Sequence, residues 1–131
     1  NVLDLHPKAI VYMGGINDFS NQPRGTAQTI GENVRLMLEQ IRTRDPGVPV
    51  LVCEILPAGF VPFETVRGAN AAVDKVIEGF PNAHRVKTYA SFLKADGTQD
   101  KTLFVDGTHP NAAGYELWGA AVKDKVAELL Q

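Results

Sequence analysis

The residues best suited to chemistry in this chain lie in two short blocks, Gly14-Gly15-Ile16-Asn17-Asp18 and Asp106-Gly107-Thr108-His109-Pro110-Asn111. In the second block, an Asp three residues ahead of a His in a turn can reach the imidazole Nδ1–H. That contact fixes the tautomer and leaves Nε2 to act as a general base toward a hydroxyl. The carboxylate favours the imidazolium, whereas a helix N-terminus just behind it disfavours the charge. Pro110 suits the first position of a helix, which puts His109 at or just before the helix start. The plainer alternative is a turn followed by a helix cap, and the chain carries its own control. Asp96-Gly97-Thr98 repeats the Asp-Gly-Thr with no His behind it. The later copy is distinguished by the His, the proline and its place ahead of the last helix.

In the first block, two glycines let the backbone turn sharply and approach a substrate, and Asn17 can offer its side-chain NH2 to a developing oxyanion. Gly15 is a candidate for substrate contact on the same ground. The same residues also make an ordinary strand-end turn.

The elements that must carry these blocks follow from hydrophobic periodicity. Short apolar, β-branched runs are expected as strands over residues 8–13, 49–56 and 84–89. Between and after them, segments of helical period cover residues 26–44, 64–79 and 110–130. Ile30, Val34, Leu36, Met37, Leu38 and Ile41 form the apolar stripe of the first helix, and Pro46-Gly47 stops it. The alternation predicts an α/β fold with a parallel sheet and helices on both of its faces. Both blocks then fall at the carboxyl ends of strands, where open α/β sheets bind ligands. Phe60-Val61-Pro62-Phe63 reads as a loop exposing apolar side chains, with Phe60 and Phe63 as candidate acyl contacts. The first strand, apolar throughout, reads as an interior strand flanked on both sides. A sheet of three strands would then leave a sticky edge.

Composition narrows the function classes. The chain has 131 residues, 44% hydrophobic and 21% charged, with a net charge of −2. That is the size of one domain, without a basic footprint for nucleic acid. No apolar stretch approaches the roughly 18–20 residues that span a bilayer. Cys53, the single cysteine, sits in the apolar run PVLVCEIL and reads as a buried small hydrophobe. His6, His84 and His109 are too scattered to suggest a metal site. Tyr115, Leu117, Trp118 and Val122 read as the core face of the last helix.

Together, GGIND after one strand and DGTHPNAAGY before the last helix resemble two sequence blocks of the SGNH hydrolase superfamily, the GDSL-like esterases and lipases. The order and spacing of elements resemble it over nearly the whole chain. The resemblance implies a flavodoxin-like α/β/α three-layer sandwich with a parallel sheet, its first strand or strands missing. Residues 1–131 would then be a single such domain, its C-terminal two-thirds, and the opening VLDLHPK resembles the end of a family helix. It implies hydrolysis of ester bonds in a small-molecule substrate (a lipid, an acylated sugar or a thioester), with no metal and no organic cofactor. Matched positions make Asn17 an oxyanion donor, His109 the general base and Asp106 its orienting partner. The family's Gly-Asp-Ser block, which carries the nucleophile, has no counterpart here. The chain's two serines, Ser20 and Ser91, do not follow an apolar strand in that pattern. The chain alone is therefore expected to be inactive. A different class remains open: a non-catalytic module that holds a carbohydrate or acyl ligand in the same crevice. A nucleotide binder is disfavoured by the lack of both G-x-G-x-x-G and the P-loop motif.

Overall fold

A computed structural model describes residues 2–20 and 25–130. Its sheet has three parallel strands, β1 (Ile10–Tyr12), β2 (Val50–Cys53) and β3 (Ala83–Val86), in the order β1-β2-β3. Val11 lies beside Leu51, and Leu51 beside His84. Both connections step in the same direction across the sheet. Right-handed crossovers therefore put α1 (Ala27–Arg44) and α2 (Phe63–Ile77) together on one face. The opposite face is left to α3 (Ala112–Leu129).

The alternation of side chains along β2 divides the core. Val50 and Val52 join Ile30, Val34 and Leu38 of α1 and Val66, Ala69 and Val73 of α2. Leu51 and Cys53, with Val86, point the other way, against Trp118, Val122 and Val126 of α3. Burial pushes the Cys53 thiol up to about 11, as the reading of a structural cysteine requires. The strand buried on both faces is β2, all four of its residues being buried, and not the first strand as expected. Among the described residues β1 pairs only with β2, and Val11 is 42% exposed.

Helix boundaries follow local chemistry. α1 starts at a reciprocal cap in which the Thr26 hydroxyl accepts from the Thr29 N–H and the Thr29 hydroxyl accepts from the Thr26 N–H, each at 3.1 Å. Its buried stripe is Ile30, Val34, Leu38 and Ile41. Leu36, expected in that stripe, is exposed, because it falls on the far side of the 3.6-residue period. α2 takes in Phe63, one residue earlier than expected.

The expected start of α3 needs correction. Pro110 is not its first residue but lies in an isolated antiparallel bridge with Phe104. The cap is Asn111, whose side-chain oxygen accepts from the Gly114 N–H at 3.1 Å. An Asn side chain satisfies a helix-end donor, whereas Pro only removes one, so the cap sets the boundary. Among the described residues no helix is long and apolar enough to cross a membrane.

Candidate active site

Asp106 and His109 meet as their spacing suggests. Asp106 Oδ2 lies 2.7 Å from His109 Nδ1, while Oδ1 accepts from the backbone N–H groups of Thr108 at 2.9 Å and His109 at 2.8 Å. One carboxylate oxygen thus builds the turn and the other holds the ring. The backbone N–H of His109, its ring and the N–H of Thr108 together hold the Asp106 carboxyl far below the usual carboxylate range. With Nδ1 engaged, Nε2 is the free ring nitrogen, and the His109 side chain is 70% exposed.

The loop carrying this pair is closed at its base. The Val105 N–H donates to the His109 carbonyl at 2.8 Å, and the Asn111 N–H to the Leu103 carbonyl at 2.9 Å. Asp96-Gly97-Thr98 forms the same kind of turn: Asp96 Oδ1 accepts from the Thr98 N–H at 2.9 Å and from its hydroxyl at 2.6 Å. Asp-Gly-Thr is therefore a turn unit in itself, and the His is what the second copy adds.

A small cleft of about 120 Å³ opens beside His109. Its wall is Met13, Gly14 and Ile16 from the end of β1, Ile55 and Leu56 from the end of β2, and Thr108, Pro110 and Tyr115. The carboxyl ends of two strands thus converge on the imidazole, as the crevice rule for open sheets expects. Asn17 is exposed in the 3-10 segment Ile16–Ser20, next to Ile16 of the cleft wall but not itself lining the cleft. Gly15, at φ +110°, stands behind it, so close to Ile55 that a Cβ there would meet the Ile55 side chain at 2.9 Å. Its role in the fold is backbone conformation and packing.

Neither Phe60 nor Phe63 lines the cleft beside His109. Phe60, half-exposed, borders a separate hollow with Val105, Asp106, Gly107 and Thr108. Phe63 opens α2 and lines another hollow with Lys94, Thr98 and Lys101. Between them Val61 is buried, so the loop exposes fewer apolar groups than its sequence suggests. His84 lies in β3, and neither it nor His6 lines the cleft. Among the described residues no three His, Cys, Asp or Glu side chains gather into a group able to hold a metal ion.

Three contributors were not legible beforehand. Tyr115, read as core, is 50% exposed and forms part of the cleft wall, edge-on to Trp118 with ring centroids 6.5 Å apart. Asn70 of α2 is buried and holds the backbone of Ile55 at both groups, accepting from its N–H at 2.9 Å and donating to its carbonyl at 3.0 Å. Arg85 donates to the Cys53 carbonyl at 2.9 Å, to Asn70 Oδ1 at 2.9 Å and to Asp74 at 2.7 Å. These bonds fix the end of β2 that forms one wall of the cleft. The only available signal was a polar residue at an apolar-stripe position, Asn70 one place after Ala69.

Residues 1–117 match the model of the GDSL-like Lipase/Acylhydrolase family. The chain belongs to that family. It is 26% identical over 132 aligned residues to the platelet-activating factor acetylhydrolase IB subunit alpha2 of Gallus gallus, covering 98% of this chain and 56% of the relative. It is 27% identical to the human alpha1 subunit, covering 85% of this chain and 48% of the relative. The GDSL-like family member described here thus spans about half the length of the curated relatives it matches.

Its fold is that of solved GDSL-like lipases. A GDSL-like lipase from Bacteroides thetaiotaomicron superposes with a TM-score of 0.81 at 20% identity, covering 98% of this chain and 66% of the other. A carbohydrate esterase family 3 protein from Talaromyces cellulolyticus superposes with a TM-score of 0.70 at 22% identity, covering 98% of this chain and 61% of the other. The GDSL-like chain is therefore an α/β fold with the parallel sheet expected of a three-layer sandwich.

Proposed function

We propose that the complete protein is a serine esterase of the SGNH type acting on small acylated substrates, and that residues 1–131 form the C-terminal two-thirds of its single domain. The observation that carries this reading is the Asp106–His109 pair, with a carboxylate on Nδ1 at 2.7 Å and an exposed ring at the mouth of an apolar cleft. In this reading His109 Nε2 takes the proton of a serine hydroxyl as that oxygen attacks the ester carbonyl. It then returns the proton to the departing alcohol. A second cycle, with water as nucleophile, releases the acid. Asp106 holds the ring in the productive tautomer, and Asn17 donates to the oxyanion from the rim.

The nucleophile is assigned to sequence outside this chain. Ser20 and Ser91 lie in short 3-10 segments, and neither lines the cleft beside His109. No step requires a metal or an organic cofactor. The substrate is a small ester, and the cleft's apolar wall suits an acyl group. The acetylhydrolase names of the relatives agree with that choice.

The test is to read the gene upstream of Asn1 and assay the complete product on p-nitrophenyl acetate beside its His109→Ala variant. A Gly-Asp-Ser block upstream and a fall in kcat of about a thousandfold or more in the variant are expected. Full activity in the variant, or another residue in place of that Ser, would instead favour a module that only binds acyl or carbohydrate ligands.

A further inference from the structure

We infer that Gln99 is a positioning residue for the Asp106–His109 pair, acting through the backbone that joins them. The inference rests on the reading of that pair as the acid–base part of the site. Gln99 lies inside a polar stretch, Lys94 to Lys101, whose composition is that of a solvent loop, yet it is only 6% exposed. The stretch folds back on itself through an antiparallel bridge between Leu93 and Gln99, with the Lys94 N–H on the Thr98 carbonyl at 2.8 Å. Gln99 Nε2 donates to the Pro57 carbonyl at 2.9 Å and to the Gly107 carbonyl at 2.8 Å.

Both partners are acceptors, so the position needs a group with two donors on one atom. The amide NH2 supplies them, whereas a carboxylate would set negative charge against two carbonyl oxygens. The Gly107 carbonyl also accepts from the Gly59 N–H at 2.9 Å. Gly107 stands between Asp106 and His109 with φ +83°, a conformation that side-chain-bearing residues rarely adopt. Two donors fix the plane of the peptide that follows it. That plane carries the Thr108 N–H, one of the two backbone donors on Asp106 Oδ1. The clamp therefore ties the turn to the end of the β2 segment that walls the cleft. Removing it leaves the Pro57 carbonyl without this donor and the Gly107 carbonyl with the Gly59 N–H alone, which loosens the peptide plane that aims the carboxylate at the ring.

Q99M keeps the length of the side chain and removes both donors. In the complete gene product acting on p-nitrophenyl acetate, kcat should fall about ten- to a hundredfold. KM should stay within about twofold and the thermal transition should remain cooperative. A low-field NMR resonance of the His109 Nδ1 proton is expected in the unmodified protein and should broaden or shift in Q99M, a change that a merely structural role does not produce. Should Q99M lose its cooperative melt, Q99N, which keeps the donors but withdraws them by one carbon, carries the same measurements. A folded variant with unchanged kcat and an unmoved Nδ1 resonance overturns the inference. If the unmodified protein hydrolyses no ester, the catalytic reading fails by itself, and the resonance alone decides whether Gln99 sets the pair.

Discussion

Asp106 spends both carboxylate oxygens on one short turn, and the consequence is a charge that persists into acid. Its folded pKa is depressed, so the bonds it makes contribute fully above its ordinary value of 3.8 and are lost only as pH falls through the lower folded value. The carboxyl 13C resonance of Asp106 should therefore show no upfield change of full carboxyl protonation between pH 7 and pH 4. Such a protonation centred at 4 or above, as opposed to the smaller response to the neighbouring ring, would mean that the turn is not formed in solution. Any loss of the proposed esterase activity on acidification within that range must come from another group. This pair was legible in the sequence because its geometry is local, three residues within one turn. Gln99 was not, because one of its acceptors, Pro57, is 42 residues away and nothing in the run Thr98-Gln99-Asp100 marks the middle residue as buried. Tyr115 was misread for a related reason: helical spacing says which residues share a face, but not how much of that face another element covers.

At the scale of the element, the last helix shows where local signals compete. Pro110 and Asn111 are adjacent start signals, and the structure uses the Asn as cap and the Pro as a strand-like bridge residue. The glycine three residues after that Asn has a use that no propensity scale would suggest. The Leu103 carbonyl oxygen, which also accepts from the Asn111 N–H, lies where a Cβ on Gly114 would stand, well inside van der Waals contact. Gly114→Ala should gain about 1 kcal/mol of helix propensity. It should lose more, about 1–3 kcal/mol, to overpacking against a backbone atom that cannot rotate away. A net destabilisation in urea unfolding is expected, and a net gain would show that the turn before α3 can move aside at little cost. By contrast, the Thr26 start of α1 agreed with its sequence reading, because cap and apolar stripe point to the same boundary.

For the molecule as a whole, alternation of strand and helix was enough to predict a parallel α/β fold, but not the order of its strands. Because β1, β2 and β3 succeed one another across the sheet, β2 and not β1 is the strand covered on both faces. The same order leaves α3, with Ala9 beside it, to cover Leu51, Cys53 and Val86. A gene product ended at Pro110 should bind the dye ANS at neutral pH, and the product that includes α3 should not. Equal dye binding by both would mean that this face is covered from elsewhere. On the ribosome, that arrangement sets an order of events. The turn bearing His109 leaves the exit tunnel immediately ahead of the helix that shields the back of the sheet. Until α3 has followed, the nascent chain carries that turn while the apolar surface is still open to capture or degradation. The turn proposed to carry the base and the cover of this hydrophobic face are thus acquired in one stretch of translation.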